Sequence, residues 1–341
     1  MSGSLVIQTS FLGDVILTTP LIAELAKRGP VDVLATPGGA AALANNPHIR
    51  TIIPYDKRGT YGSALGLWAT IREIRTRRPY TAAYLAQGSF RSGLIAMMTG
   101  AKERIGFASS TGRALYTTQI PYRPERHHVE RLWSLSMSES ADPPSRNQIR
   151  PRLYPSDDER KRVDALLRQS GNIEEPFVAL APGSAWGTKR WPYYPSLAKR
   201  LAEDYRIAII GSKADSAVAA EIVDALPADR VISGIGLPLL VSAELIGRAR
   251  AIITNDSAPQ HLASAMGTPT LTIFGPTVPE FGFGPLAERH VVAGHANLSC
   301  RPCHRHGPQS CPLGHWRCMR ELTPDYISSL LTEVLNPAVP V

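Results

Sequence analysis

Asp14 ends the stretch SFLGD (10–14), just after the apolar run LVIQT and at the start of the helix-like pattern DVILTTPLIAELAKRG. An aspartate at such a junction has two readings. It caps the helix, accepting bonds from the first free N–H groups. Or it is a carboxylate kept ionised by the helix dipole and able to take a proton from a substrate hydroxyl. Asparagine separates the two, because it caps as well but cannot act as a base.

A second chemically capable group lies in APGSAWGTKRWPYYPSLAKRL (181–201). Gly183, Ser184 and Gly187 mark a loop after a strand. Pro192 and Pro195 suit a helix start, where a missing N–H costs nothing. Lys189 then stands just ahead of that helix, where a lysine meets a phosphate that also uses the helix N-terminus. The alternative is a solvated surface lysine. Trp191 reads as a packing residue.

A third group is TNDSAPQHLASAMGTPTLTIFGP (254–276). Asn255, Asp256 and Ser257 close a strand and precede a helix, so Ser257 offers a hydroxyl and an N–H to an anion. His261, four residues on, shares a helix face with Ser257, or is a helix-surface or core histidine. Pro259 fits the first helical turn and removes one donor.

All the cysteines lie in CRPCHRHGPQSCPLGHWRC (300–318). Cys300, Cys303, Cys311 and Cys318 follow the spacing C-x2-C-x7-C-x6-C, with His304, His306 and His315 between them. A reducing compartment disfavours disulfides. Such ligands form a tetrahedral structural zinc site or a metal-free cysteine-rich loop; the spacing matches no standard finger pattern.

The elements that must position these residues are α/β. LVIQTS, VDVLAT, TAAYLAQ (81–87) and RIGFA (104–108) read as strands of a first unit. FVALAPG, RIAIIGS, RVISG, AIITND and TLTIFGP read as strands of a second. The pattern after Asp14 reads as one helix, stopped by Gly29 and Pro30. The segment RPRLYPSDDERKRVDALL (150–167) joins prolines to a charged run and reads as a linker. The expected domains are 1–155 and 156–341, the second carrying the cysteine-rich segment 300–318, with the last helix returning to the first domain. Alternating strands and helices predict parallel sheets, whose ligands gather at the carboxyl ends of strands. Polar punctuation falls there, at Ser10–Asp14, Gly183–Lys189, Gly211–Asp215, Asn255–His261 and Gly275–Thr277.

A length of 341 residues suits two domains, and 43% apolar with 19% charged residues suits a folded protein outside the membrane. No apolar run approaches the roughly 18 residues of a spanning helix, and no signal segment opens the chain. The expected compartment is the cytoplasm. The net charge is +8, from 37 Lys and Arg against 29 Asp and Glu. Residues 1–150 hold 18 and 10 of these, leaving 19 against 19, so the whole excess lies in the first half. That predicts an anionic partner: a phosphorylated substrate, an anionic membrane surface or nucleic acid. A solubility surface is the plain alternative, and no nucleic-acid recognition motif is present. The absence of G-x-G-x-x-G after the first strand, and of GxxxxGK[ST], argues against a nicotinamide dehydrogenase and a P-loop NTPase. No G-x-S-x-G elbow occurs either.

Together, QTSFLGDVILTTPLI, APGSAWGTKRWP, TNDSAPQHLASAMGTPTLTIFGPT and the cysteine-rich tail resemble the ADP-heptose:lipopolysaccharide heptosyltransferases of glycosyltransferase family 9, over nearly the whole chain. The tail is most similar to the heptosyltransferase II branch. The resemblance implies a GT-B fold, two Rossmann-like domains with parallel sheets facing across a cleft. It implies inversion at the anomeric centre without a catalytic metal or required cofactor. Ser10, Gly13 and Asp14 match the family's first motif, making Asp14 the implied base. Lys189 matches the lysine that holds the donor diphosphate, and Asp256, Ser257 and His261 match the donor-sugar and phosphate motif. Ala258 departs from the glycine usual there, which bears on close approach of the diphosphate. Ser184 joins the implied donor site, with Gly211 and Asp215 for the ribose. Arg58, Arg91, Arg104 and Arg113 are the expected contacts for an anionic acceptor such as the lipopolysaccharide inner core, at the cytoplasmic face of the inner membrane. The alternatives are a family 9 enzyme with another donor or acceptor, or a non-catalytic sugar-nucleotide-binding protein.

Overall fold

The computed structural model describes residues 3–56, 59, 63–77, 79–137, 141–171 and 173–335. The chain divides into two compact units, Met1–Tyr154 and Pro155–Val341.

The first unit is a parallel six-stranded sheet: β1 (Gly3–Gln8), β2 (Val31–Ala35), β3 (Thr51–Pro54), β4 (Tyr80–Leu85), β5 (Glu103–Phe107) and β6 (Thr118–Ile120). Its helices are α1 (Leu12–Leu17), α2 (Thr19–Ala26), α3 (Pro37–Leu43), α4 (Ala64–Arg77), α5 (Phe90–Met98) and α6 (His128–Ser134). The strand order is β3-β2-β1-β4-β5-β6. β1 is central, with Ile7 opposite Leu34 of β2 and Leu85 of β4. Leu5, Val6 and Ile7 are fully buried, because a parallel sheet is covered on both faces.

The second unit repeats the winding with β7 (Phe177–Ala181), β8 (Arg206–Gly211), β9 (Val231–Ile235), β10 (Ile252–Asn255), β11 (Thr270–Phe274) and β12 (His290–Gly294), in the order β12-β11-β10-β7-β8-β9. Its helices are α7 (Asp157–Gln169), α8 (Tyr194–Leu201), α9 (Ser216–Val223), α10 (Leu239–Arg248), α11 (Ala258–Met266), α12 (Arg317–Arg320) and α13 (Pro324–Leu335). In each unit the winding reverses beside the first strand, between β1 and β4 and between β7 and β10. The loops leaving those strands border the crevice where such sheets take ligands. They carry Asp14 in one unit and Lys189 and Asp256 in the other.

Two differences from the sequence reading have physical causes. The single helix expected from Asp14 onward is two, α1 and α2. Pro20 sits in the first turn of α2, where its ring lacks an N–H and would clash with the carbonyl four residues back in a continuous helix. The strands β3, β6 and β12 were not read from the sequence. All are sheet edges, short and partly exposed, so they carry little apolar signal. The last helix, α13, packs on β11, β12 and α8 of its own unit and buries Ile327, Leu331 and Val334 in that core.

Asp32 on β2 is a buried charge, satisfied chiefly by Arg50 and Tyr80. Arg50 donates Nε to Oδ1 at 2.9 Å and Nη2 to Oδ2 at 2.7 Å, and the Tyr80 hydroxyl donates to Oδ2 at 2.7 Å. Burial pushes the carboxyl upward, but the bonds from Arg50 and Tyr80 outweigh it and hold the group below its ordinary value. The pair therefore stabilises the first unit above the unfolded aspartate value, about 3.9. That contribution is lost as pH falls through the lower folded value. Arg50→Ala strands a buried carboxylate and is expected to cost about 3 kcal/mol, read by urea unfolding at neutral pH. An unchanged midpoint would remove the pair from the stability account.

Candidate active site

At the carboxyl edge of the first sheet, β1 runs out at Gln8 and the chain turns into α1. Phe11, not Asp14, is the N-cap residue; it is extended and makes no side-chain cap bond. Asp14 is the third residue of α1, so the expected capping role is corrected. The carboxylate still lies in the first turn, beside the positive end of the helix. The turn is fixed from behind. Thr18 Oγ1 donates to the Asp14 carbonyl at 2.7 Å and accepts from Gln8 Nε2 at 3.1 Å. Gln8 Oε1 in turn accepts from the Ser10 N–H at 3.3 Å. Gly13 is the second residue of α1.

The sequence reading missed His128. Its Nε2 lies 3.5 Å from Asp14 Oδ1, with the two side chains 11% and 17% exposed. His127 makes this possible. It is the N-cap of α6: its Nδ1 accepts from the Val129 N–H at 3.2 Å, and Glu130 Oε2 accepts from the His127 N–H at 2.7 Å. That reciprocal box fixes the first residue of α6, and His128 is that residue. Arg131 ties down the preceding loop through Tyr122 and the carbonyls of Arg123 and Pro124. A contact of 3.5 Å is within ion-pair reach but longer than a tight hydrogen bond. It sets the imidazole beside the carboxylate.

On the neighbouring strand, Gln87 Oε1 accepts from the hydroxyls of Ser92 at 2.5 Å, Ser89 at 3.0 Å and Thr9 at 3.4 Å, locking the β4 loop to the β1 loop. Of the expected acceptor arginines, Arg91, the second residue of α5, lies at this edge and reaches the Tyr55 hydroxyl at 3.3 Å. Arg113 is on the loop leaving β5, at the same edge. Arg104 is placed differently. It lies at the amino end of β5, the opposite edge, and its guanidinium braces the carbonyls of Leu115 at 2.7 Å and Ala101 at 3.0 Å. Arg58 lies outside the described residues.

At the carboxyl edge of the second sheet, Lys189 and Asp256 are one constellation. Lys189 Nζ donates to Asp256 Oδ2 at 2.6 Å and to the Asp256 carbonyl at 3.3 Å. Thr277 Oγ1 donates to the same Oδ2 at 2.6 Å, and Gln260 Nε2 to Oδ1 at 3.1 Å. Three loops, leaving β7, β10 and β11, thus converge on one carboxylate. Lys189 is buried, not a solvated surface lysine. It also does not stand at the start of α8, which opens five residues later at Tyr194. Trp191 packs, donating Nε1 to the Leu322 carbonyl at 2.8 Å. Asn255 braces the same edge, donating Nδ2 to the Pro182 carbonyl at 2.8 Å and accepting the Trp191 N–H at 3.2 Å.

Ser257 is the N-cap of α11, extended and without a side-chain cap bond. Ala258 is the first helical residue, so alanine there carries no left-handed strain. His261 is buried on α11, its Nε2 3.5 Å from Gln260 Nε2. Ser184 is buried, and its hydroxyl accepts the Trp186 N–H at 3.2 Å. Asp215 is part of a capping box, its Oδ2 accepting from the Ser212 N–H and hydroxyl at 2.9 and 2.7 Å. It packs so closely on Gly183 that a Cβ there would lie 2.3 Å from Oδ1. Gly211 also lies against Asp215, so the loops after β7 and β8 meet.

The cysteine-rich segment braces this constellation. Gln309 bonds the Gly187 N–H at 3.0 Å and the Ala185 carbonyl at 2.9 Å, and Trp316 Nε1 donates to the Thr188 carbonyl at 2.9 Å. Arg301 donates to the carbonyls of Phe274, Gly275 and Thr277. The segment therefore holds the Lys189 loop through Gln309 and Trp316 and the Thr277 loop through Arg301. Burial pushes the Cys318 thiol up to about 11, with Cys303, Cys311 and Cys300 adding to the rise. Backbone N–H groups of residues 313–316 outweigh burial at Cys311 and hold its thiol below the ordinary value. Cys300 Sγ lies 3.9 Å from His315 Nε2. Among the described residues no group of three or more His, Cys, Asp or Glu is placed to hold a metal ion. A cavity of about 500 Å³ lies behind Thr188, between Trp191, Trp316 and Arg320, and does not include Lys189 or Asp256.

A sequence profile described as "Glycosyltransferase family 9 (heptosyltransferase)" matches residues 67–315, a span that includes Lys189 and Asp256. The chain belongs to glycosyltransferase family 9. Lipopolysaccharide heptosyltransferase 2 of Escherichia coli strain K12 is 29% identical over 296 residues, 81% of this chain and 84% of the relative. Lipooligosaccharide heptosyltransferase 2 of Haemophilus influenzae is 25% identical over 357 residues, covering 97% and 99%. The structure of the E. coli ADP-heptose LPS heptosyltransferase II matches with a TM-score of 0.79 at 25% identity, over 98% of both chains. A family 9 glycosyl transferase from Veillonella parvula matches in fold with a TM-score of 0.86 at 20% identity, over 99% and 98%. The two parallel six-stranded units are thus those of a GT-B glycosyltransferase, and this family 9 chain is a heptosyltransferase-like enzyme.

Proposed function

We propose that this family 9 enzyme transfers a heptose from ADP-heptose to the inner core of lipopolysaccharide, with inversion. The observation that carries the reading is the buried Lys189–Asp256–Thr277 constellation beside the start of α11. It gathers a cation, a hydroxyl and helix N–H groups where a diphosphate would be received. The second unit holds the donor, with Lys189 and the Ser257 hydroxyl and N–H stabilising the charge that builds on the departing ADP. The first unit holds the acceptor and supplies the base. An acceptor oxygen forms its bond to the anomeric carbon as the bond to the diphosphate oxygen breaks, and its proton passes to Asp14. One displacement inverts the centre. His128 keeps the Asp14 carboxylate in place. These groups do the chemistry without assigning any step to a metal. An acceptor carrying phosphates and carboxylates suits the basic first half, with Arg91 and Arg113 at the Asp14 edge, and places the enzyme at the cytoplasmic face of the inner membrane.

The test is incubation with ADP-heptose and a heptose-deficient lipopolysaccharide acceptor, read by product mass. One heptose is expected to be added, and other nucleotide sugars serve as the comparison panel. Transfer from a different donor alone would replace the donor assignment. Tight ADP binding with no transfer to any acceptor would favour a non-catalytic binding protein.

A further inference from the structure

Among the described residues of the first unit, the exposed large apolar side chains are Phe11, Leu65, Trp68, Phe90 and Met97. All but Met97 lie at helix starts: Phe11 caps α1, Leu65 and Trp68 fall in the first two turns of α4, and Phe90 opens α5. In a parallel βα sheet helices begin at the carboxyl ends of strands. This apolar set therefore shares an edge with Asp14.

The stretch LGLWATIREIR at the start of α4 carries two of these, with Leu65 82% and Trp68 57% open to solvent. The opposite face of the helix is ordinary core: Ile71 and Ile74 are buried, and Leu67 packs against them. Leu65, Trp68, Arg72 and Arg75 follow 3-4-3 spacing and so form one outward stripe. Its first half is apolar and its second half basic. The Arg72 guanidinium lies 5.8 Å from the centroid of the Trp68 ring. A stripe serving only solubility would be polar throughout. An indole and a leucine beside arginines suit the boundary of a bilayer, where the ring sits among headgroups and guanidinium meets phosphate. The whole +8 excess of the chain falls in this half, so an anionic surface is the charge-complementary occupant.

We propose that the stripe of Leu65, Trp68, Arg72 and Arg75 docks the first unit on an anionic phospholipid bilayer. The contact is peripheral, since among the described residues no helix is long and apolar enough to cross a membrane. Its purpose rests on the function proposed above: a lipid-anchored acceptor is delivered at the edge that carries Asp14.

The test is co-sedimentation of the full chain with phosphatidylcholine vesicles, with and without a third of phosphatidylglycerol, in the absence of donor and acceptor. The wild-type protein is expected to bind the anionic vesicles, and to release as salt rises. Leu65→Ser with Trp68→Ser, and separately Arg72→Gln with Arg75→Gln, each weaken partition on the order of tenfold. Circular dichroism stays unchanged, because these side chains are exposed. Equal wild-type binding to both vesicle types, or undiminished binding by both double variants, overturns the proposal. So does a loss confined to self-association in light scattering, which would assign the stripe to contacts between copies. Transfer to a water-soluble core oligosaccharide stays at wild-type rate in these variants. If even the wild-type protein fails that transfer, the proposed function is at fault and the docking result stands on its own.

Discussion

Asp14→Asn is expected to lower turnover by roughly 10²- to 10⁴-fold while leaving fold and donor affinity in place. The structure makes this substitution cleaner than the sequence could promise. Phe11, not Asp14, is the N-cap residue, so the substitution leaves the N-cap residue in place. The bond from Thr18 goes to the Asp14 carbonyl oxygen of the main chain, which the substitution leaves alone. Asparagine keeps the shape and loses the ability to take a proton. The substitution also changes the group that faces His128 Nε2, so His128→Gln is the companion variant. That change keeps a donor near the carboxylate and is expected to cost less than Asp14→Asn. Initial rates by product mass, ADP affinity by calorimetry and thermal melting separate the outcomes. Near-normal turnover of folded Asp14→Asn removes the base assignment. Equal losses in the two variants would move the proton-accepting role toward the His128 pair as a unit.

The parts legible in the sequence were those written locally. Central strands are long and apolar, so β1, β4, β7, β8, β10 and β11 stand out, and the loops after them carry polar residues in a recognisable order. What was not legible depends on tertiary partners. Phe11 caps a helix with no side-chain acceptor, so the eye moves to the aspartate three residues on. His128 is far from Asp14 in the chain, and the local run HHVE announces only a helix start. Thr277 was visible as punctuation after β11, but its bond to Asp256 appears only once β10 and β11 pair. The cysteine-rich segment drew attention for its thiols. Its observed work is done by Arg301, Gln309 and Trp316, which reach loops more than twenty residues away in sequence. Arg104 was grouped with acceptor arginines by charge alone, and only the strand direction shows that it lies at the wrong edge.

Lys189→Ala is expected to have the second large effect, in two separable parts. The first is structural. Lys189 and Asp256 are 9% and 11% exposed at the side chain, and removing one partner of a buried pair costs about 3–5 kcal/mol. Thr277 and Gln260 still donate to Asp256, so the lower end of that range is expected, a fall of roughly 5–10 °C in melting temperature. The second part is catalytic. If Lys189 stabilises the departing diphosphate, its loss lowers turnover by roughly 10²- to 10³-fold and weakens ADP binding. A single variant confounds the two, since a loosened Asp256 loop would also harm donor binding. The double variant Lys189→Ala with Asp256→Asn removes the stranded charge along with the cation. Stability is then expected to recover in large part while turnover stays low. Should turnover return together with the melting temperature, Lys189 serves the fold and not the donor. The positive charge for the diphosphate would then have to come from elsewhere, with the start of α11 as the remaining source within this constellation.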